Sequence, residues 1–392
     1  MKKMILLYLT IAVFGLLVSC ASNTKTVDAE TNPDITAASK NTAGEPDFEF
    51  RNISGGSLEQ TEEILHNSLL GHLVVTGDYP YSTPVNFVYE NKSIYFPLRK
   101  DAEGKICDII TKDNRVCFAV DNYAGNRWHS IHIFGKAAII DDKDCLRKYH
   151  EVIGKSGFTY DSNRNNLVFV RITPDLVTVR LNYGIPYWYL GKLNRTEDGK
   201  LTPKMKLPAA GATVSAEGAE RTSFTGKVEF VGLPAGLADI VLRSSHSGRI
   251  NTLGDDGPYS VPLNCSFPKG KIYIHSKKNG LKVMNIAKKQ NVSFDVEWLW
   301  NGQEWLTVTV EGKAKLLPAD EGIEAMQYFS EFLTSPDGFI SAEFKPEPGK
   351  KIGSDRMMQR MAVIEITPER VITRSVPIPE GWLSKMPSEL SK

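Results

Sequence analysis

The chain contains the same stretch twice. Pro80-Tyr81-Ser82-Thr83-Pro84-Val85-Asn86 returns as Pro258-Tyr259-Ser260-Val261-Pro262-Leu263-Asn264. The matches then continue in order. Ile94-Tyr95 pairs with Ile272-Tyr273, Lys105 with Lys282, and Val116 and Phe118 with Val292 and Phe294. Gly135-Lys136-Ala137 pairs with Gly312-Lys313-Ala314, and Ile172-Thr173-Pro174 with Ile366-Thr367-Pro368. The offset drifts only by small loop changes until the last anchor. Ordered anchors of this kind mark a tandem duplication, so one solution to the folding problem has to serve both halves.

Within each half the pattern is that of short strands, hairpin turns and one or two helices. Ser57-Leu58-Glu59-Gln60 has the form of a capping box, followed by a rough helical stripe of Leu58, Leu65 and Leu69. Strands are expected at 71–76, 80–89, 93–96, 116–121, 130–137 and 167–172, with a polar loop at 99–105, a short helix from there to the strand at 116, and a helix near 143–153. This reads as a mainly β (α+β) chain of two tandem split β-barrels with flanking helices, packed as an intramolecular pseudo-dimer. The prolines of the repeated P-Y-S-x-P strand belong where no ladder donor is needed, at an edge or a bulge. The expected organisation is a leader at 1–20, a tether at 21–47, a first barrel at 48–190 and a linker at 191–222. A second barrel follows at 223–380, with a tail at 381–392.

The N-terminus is read separately. Lys2 and Lys3 precede an apolar run, Met4 to Val18, too short to span a bilayer and followed by small residues, as in a secretion signal. The Leu17-Val18-Ser19-Cys20 ending resembles the bacterial lipobox, which implies lipidation of Cys20. Residues 21–47, rich in Ser, Thr, Asn, Asp and Ala, suit a flexible tether. The expected location is the cell envelope, lipid-anchored and facing the periplasm or the cell surface. Charge is balanced, 47 Lys and Arg against 46 Asp and Glu, which argues against nucleic acid as a partner. Cys107, Cys117, Cys145 and Cys265 lack CxxC or zinc spacing and read as small apolar residues.

One stretch carries chemistry. In the second copy, Ile272-Tyr273-Ile274-His275-Ser276 runs into Lys277-Lys278-Asn279-Gly280-Leu281-Lys282. A strand end that delivers an imidazole, a hydroxyl and several ammonium groups around a glycine is suited to holding a phosphate. The same composition also describes an ordinary solvated basic turn. In the first copy the corresponding residues are Phe96-Pro97-Leu98-Arg99-Lys100, where the His-Ser pair is gone and a proline removes a backbone donor. Trp128 and Trp305 precede the repeated G-K-A strands and could flank a planar ring or fill the core. Tyr183, Tyr187, Trp188 and Tyr189 form an aromatic cluster after the first barrel. His72, His129 and His132 have no metal-ligand spacing.

The ordered set resembles the pyridoxamine 5′-phosphate oxidase-like split β-barrel flavoproteins, closest to the nitroimidazole-resistance-type branch. The set comprises P-Y-x-x-P-(V/L)-N, I-Y, a basic glycine turn with a lysine, V-x-F and G-K-A. The resemblance covers roughly residues 48–180 and 233–374. It implies two paired barrels with FMN in a groove between them; the repeat suggests that one chain supplies both, the alternative being that each copy pairs with its counterpart in another chain. By that resemblance the FMN-binding candidates are Asn264, Tyr273, His275, Ser276, Lys278 and Lys282, with Asn86, Arg99 and Lys105 from the first copy. The groove using the second copy's turn is the one expected to be intact.

Three functional readings follow. One is a membrane-anchored, FMN-dependent oxidoreductase acting on a small molecule, with no catalytic residue and no metal assigned. Another is a non-enzymatic module that holds flavin or haem; a scaffold that binds nothing is the third. Pyridoxamine phosphate oxidation itself fits poorly with an export signal.

Overall fold

The computed structural model describes residues 48–124, 127–140, 148, 167–183, 193–195, 201–203, 223–232, 235–300, 304–329 and 355–375. The leader with Cys20, the tether, Cys145, Tyr187, Trp188, Tyr189 and most of the helix expected near 143–153 lie outside them.

The first half contributes β1 (Glu49–Ser54), β2 (Leu70–Val75), β3 (Tyr81–Asn86), β4 (Val88–Glu90), β5 (Ser93–Arg99), β6 (Arg115–Ala124), β7 (Arg127–Ile140) and β8 (Leu167–Tyr183). They pair in the order β3-β2-β6-β7-β8-β5-β4, with β1 added parallel to β8. The ends of this path, β3 and β4, are successive pieces of one stretch interrupted at Phe87. A short hairpin follows, β9 (Leu193–Arg195) with β10 (Leu201–Pro203).

The second half repeats the scheme with β11 (Glu229–Val231), β12 (Ser247–Gly254), β13 (Gly257–Ser266), β14 (Ile272–Lys277), β15 (Asn291–Trp300), β16 (Glu304–Leu316) and β17 (Met361–Ser375). Its order is β11-β17-β14-β13-β12-β15-β16, and a β16–β17 pairing closes the barrel. Again the first strand, β11, lies parallel to the last. The chain is therefore mainly β, with two barrel-like units.

Each barrel is filled by one face of its strands. Phe118 and Phe294 are fully buried, each in its own barrel's core, and each lies over a glycine of the neighbouring strand, Gly71 or Gly248. The opposite faces of β6 and β13 meet each other, so Cys117 and Ser260 are buried although neither belongs to a core cluster.

The capping box forms as read: Gln60 N donates to Ser57 Oγ (3.2 Å), and Ser57 N donates to Gln60 Oε1 (3.1 Å). The helix runs Leu58–Asn67, so Leu69 falls beyond it and is exposed. Pro84 and Pro262 each pair on one side only, opposite His72 and Arg249, as expected of edge positions.

Two readings need correction. The loop expected at 99–105 is largely helix, Lys100–Lys112, because Ile106 and Ile110, one turn apart, bury against the barrel. The strand expected to stop at Ile172 continues to Tyr183 through Thr173-Pro174. A bulge between Phe134 and Gly135 accommodates the proline, and a side chain at Gly135 would meet the Thr173 carbonyl oxygen at 2.2 Å. Gly312 and Thr367 repeat this arrangement at 2.3 Å.

Candidate functional site

The basic turn of the second copy begins where β14 ends. Ile272 and Ile274 point into the barrel core, whereas Tyr273 and His275 lie on the other face. That face is covered by the short helical segment Met326–Phe329, and His275 meets Phe329 edge-on at 5.0 Å. The chain then turns through Lys277–Gly280 into the helix Leu281–Lys288, whose N-cap, Gly280, makes no side-chain capping bond. This leaves the positive end of a helix beside the strand end. Ser276 Oγ and Lys282 Nζ converge there, 3.5 and 3.7 Å from the point where a β-carbon on Gly280 would stand.

Lys282 is partly buried and has no carboxylate partner among the described residues. Burial pushes its ammonium down to about 8, and the positive charge of Arg180 on the first barrel pushes the same way. Lys282 and Arg180, drawn from different barrels, repel each other, and no carboxylate among the described residues is bonded to Lys282, so a phosphate there would neutralise charge. Burial also brings His275 to about 4, again with Lys282 as a neighbouring charge, so its ring is neutral near pH 7.

Residues of the first barrel approach the same region. His132, on β7, is buried; burial brings its imidazole to about 4, and Arg180, Arg249 and Lys282 add to that against the pull of Asp121. His132 meets Tyr259 edge-on at 5.5 Å, and Phe134 stacks on Tyr259 at 6.3 Å with ring planes 10° apart. On the second barrel, Asn264 and Ser247 lie opposite each other on paired strands. Both are buried, and Asn264 Oδ1, Ser247 Oγ and His132 Nε2 have no hydrogen-bond partner among the described residues. Buried polar atoms are seldom left in this state, so these three are groups for a bound polar molecule to satisfy.

The expected residues are thus distributed unevenly. Asn264, His275, Ser276 and Lys282 lie together at one strand end, Asn264 one step beyond the Cys265–Ile274 pair. Tyr273 is engaged elsewhere: its hydroxyl donates to Glu365 Oε2 (2.7 Å) and its ring packs on Tyr328. Lys278 is exposed, with its backbone N–H bonded to the Arg360 carbonyl.

In the first copy, β5 pairs with β8 just as β14 pairs with β17, which puts Pro97 and Leu98 at the places of His275 and Ser276. Leu98 is buried core, and the following helix starts at once at Lys100. Lys105 therefore sits in the second turn of that helix, exposed, with its ammonium 5.9 Å from the Tyr81 ring. Arg99 ends its strand at the surface, and Asn86 is partly buried on β3.

Sequence reasoning missed Arg180, Ser247 and the approach of His132. A signal existed for the arginine: Val177-Thr178-Val179-Arg180 and Val371-Ile372-Thr373-Arg374 occupy matching places late in the last strand of each copy. Trp128 is partly buried on β7, and Tyr183 is exposed. No group of three or more His, Cys, Asp or Glu among the described residues is placed to hold a metal ion.

Two spans, residues 57–181 and 237–374, match the family model described as pyridoxamine 5′-phosphate oxidase, together more than half of the chain. No curated protein matches. Among solved structures, the chain is similar to an FAD-binding protein from Mesorhizobium loti, with 23% identity over 32% of this chain and 95% of that one, TM-score 0.28. It is similar to the FAD-binding protein from Mycobacterium smegmatis, with 23% identity over 32% of this chain and 97% of that one, TM-score 0.27. A candidate 5-nitroimidazole antibiotic resistance protein from Bacteroides thetaiotaomicron shares 21% identity over 33% of this chain and 86% of its own, TM-score 0.29.

Proposed function

Because this chain belongs to the pyridoxamine 5′-phosphate oxidase family, we propose that it binds a flavin nucleotide, FMN, between its two barrels and uses it to reduce or oxidise a small molecule. The observation that carries this reading is Lys282: a partly buried ammonium beside Ser276, facing Arg180, without a carboxylate partner among the described residues. Two of the similar structures are named for FAD binding, which supports a flavin. The choice of FMN rests on the single cluster of phosphate donors.

The residues fit the group. Lys282, Ser276 and the uncapped start of the helix at Leu281 would hold the phosphate, with Arg180 contributing charge from the other barrel. Asn264, Ser247 and His132 would satisfy polar edges of the ring, and the Tyr259–Phe134 pair supplies a flat apolar wall. Bound flavin supplies the electron transfer itself. The protein's part is to orient the ring, neutralise the phosphate and keep water from the groove. Electron acceptors of the nitro-compound type belong to this reading by the resemblance of the repeated motifs.

We further propose that Cys20 carries lipid and that the barrels act outside the cytoplasm on the 21–47 tether, as one chain forming its own pseudo-dimer. Support for the first part is the charged start, apolar run and L-V-S-C ending. The reading is tested by purifying the full chain, recording its absorption spectrum and identifying any extracted flavin by mass. Saturable uptake of FMN supports it; uptake of FAD alone corrects the cofactor; no flavin uptake rejects it.

A further inference from the structure

Two barrels related by duplication bring two comparable tyrosines, Tyr259 and Tyr81, against the opposite barrel, and this chain has made their surroundings different. Around Tyr259, Lys282 faces Arg180 and the tyrosine ring stands against Phe134 and His132. Around Tyr81, the repeat places Arg374 where Arg180 stands, while the matching helix ends align Ile106 with Lys282 and put Lys105 one residue earlier. Register agrees, since Arg180 pairs with Ser130 on β7 and Arg374 with Thr307 on β16. Here both cations turn onto the aromatic ring. The Arg374 guanidinium lies 4.7 Å from the centre of buried Tyr81, and the Lys105 ammonium 5.9 Å. Neither has a carboxylate partner among the described residues.

What this site lacks is the phosphate cradle. Pro97 and Leu98 replace the imidazole and hydroxyl, and the helix that carries Lys105 starts directly after β5, with no intervening glycine turn. The charge has been kept while the shape for a nucleotide phosphate has gone. A stacked guanidinium still presents its N–H edge, whose fork matches the two oxygens of a carboxylate, and an ammonium nearby adds a point charge.

We propose that the Tyr81 site binds a small carboxylate on Arg374 and Lys105, in place of a second flavin. The chain then takes one flavin and one carboxylate, an arrangement that two identical barrels would not produce. The carboxylate part stands on the Arg374–Tyr81–Lys105 geometry alone; the count of one flavin rests on the proposed function.

The test uses the full chain, titrated first with FMN and then, loaded, with sodium benzoate as the probe, both followed calorimetrically. One flavin per chain is expected, together with saturable benzoate binding. Arg374→Gln and, separately, the surface change Lys105→Gln should each weaken benzoate by about tenfold and leave flavin binding unaltered. Two flavins per chain would overturn the inference while leaving the proposed function intact. One flavin without saturable benzoate binding, or benzoate binding indifferent to both variants, would overturn it as well. If no flavin binds, the proposed function fails, and benzoate binding by the unloaded chain, with its response to the two variants, still decides the carboxylate site.

Discussion

Arg249 on β12 reaches across the barrel boundary to Asp121 on β6, Nη2 to Oδ2 at 2.8 Å, with side-chain exposures of 8% and 2%. The duplication repeats this contact in reverse: His72 on β2 meets Glu297 on β15, Nε2 to Oε1 at 2.9 Å. A second crossing pair follows the same symmetry. Arg115 Nη1 donates to the Asp255 carbonyl (2.8 Å), and Asn291 Nδ2 donates to the Asp78 carbonyl (2.6 Å). The two halves are therefore joined by polar contacts placed twice, once in each direction.

Breaking one member of the Arg249–Asp121 pair leaves an uncompensated buried charge. Arg249→Met should destabilise the chain by about 3–5 kcal/mol, and adding Asp121→Leu should recover much of that loss. Urea unfolding of the single and double variants measures both. The more exposed His72–Glu297 pair should respond less to His72→Asn.

The repeated glycine–phenylalanine contacts predict matching penalties. A β-carbon at Gly71 would stand 2.3 Å from Phe118 Cζ, and one at Gly248 would stand 2.4 Å from Phe294 Cζ. Gly71→Ala and Gly248→Ala should each cost about 1–3 kcal/mol by overpacking. Thermal melts of both variants check this, and a neutral result at either site would contradict the packing described.

These symmetric details explain how much could be read before the structure. The repeat was legible because Pro-Tyr-Ser-x-Pro and the Gly-Lys-Ala strand are fixed by local demands, an edge proline and a bulge glycine. Ser276 and Lys282 were legible because they lie within seven residues of each other across one turn. Arg180 was not, since only the packing of the two barrels brings it to Lys282. Tyr273 shares the strand face of His275, but its hydroxyl is taken up by Glu365 and its ring by Tyr328, both far away in sequence. The early start of the Lys100–Lys112 helix was obscured by Gly104 and its charged first turn, and tertiary burial of Ile106 and Ile110 outweighed both.

Ligand affinity should depend on pH through Lys282. Burial and Arg180 bring its ammonium to about 8 in the free protein. A bound phosphate favours the charged form, so binding takes up a proton wherever free Lys282 has lost one. FMN affinity should accordingly hold steady from about pH 7 to 8 and fall as pH rises further, approaching tenfold per unit. Below about pH 6 it should also decline as the phosphate itself takes a proton. Dissociation constants from pH 5.5 to 9.5 give the profile, and Lys282→Gln should abolish the alkaline limb.

Asp295 sets a separate pH dependence, in stability. Burial raises its carboxyl to about 7, although Thr309 Oγ1 and Asn251 Nδ2 donate to it and partly offset the effect. Its folded-state value lies above the unfolded one, so the native state binds more protons between about pH 4 and 7. This group therefore removes stability as pH rises through that window. Compared with the wild type, Asp295→Asn should show a stability that falls less between pH 4.5 and 7.5 in urea titrations.

The central claim is tested most directly by titrating FMN into the full chain and into Lys282→Gln and Lys105→Gln variants, following the flavin absorption bands. The expected result is saturable binding by the wild type and by Lys105→Gln, and binding at least tenfold weaker in Lys282→Gln. Equal losses in the two variants, or no uptake by any of the three proteins, would contradict it.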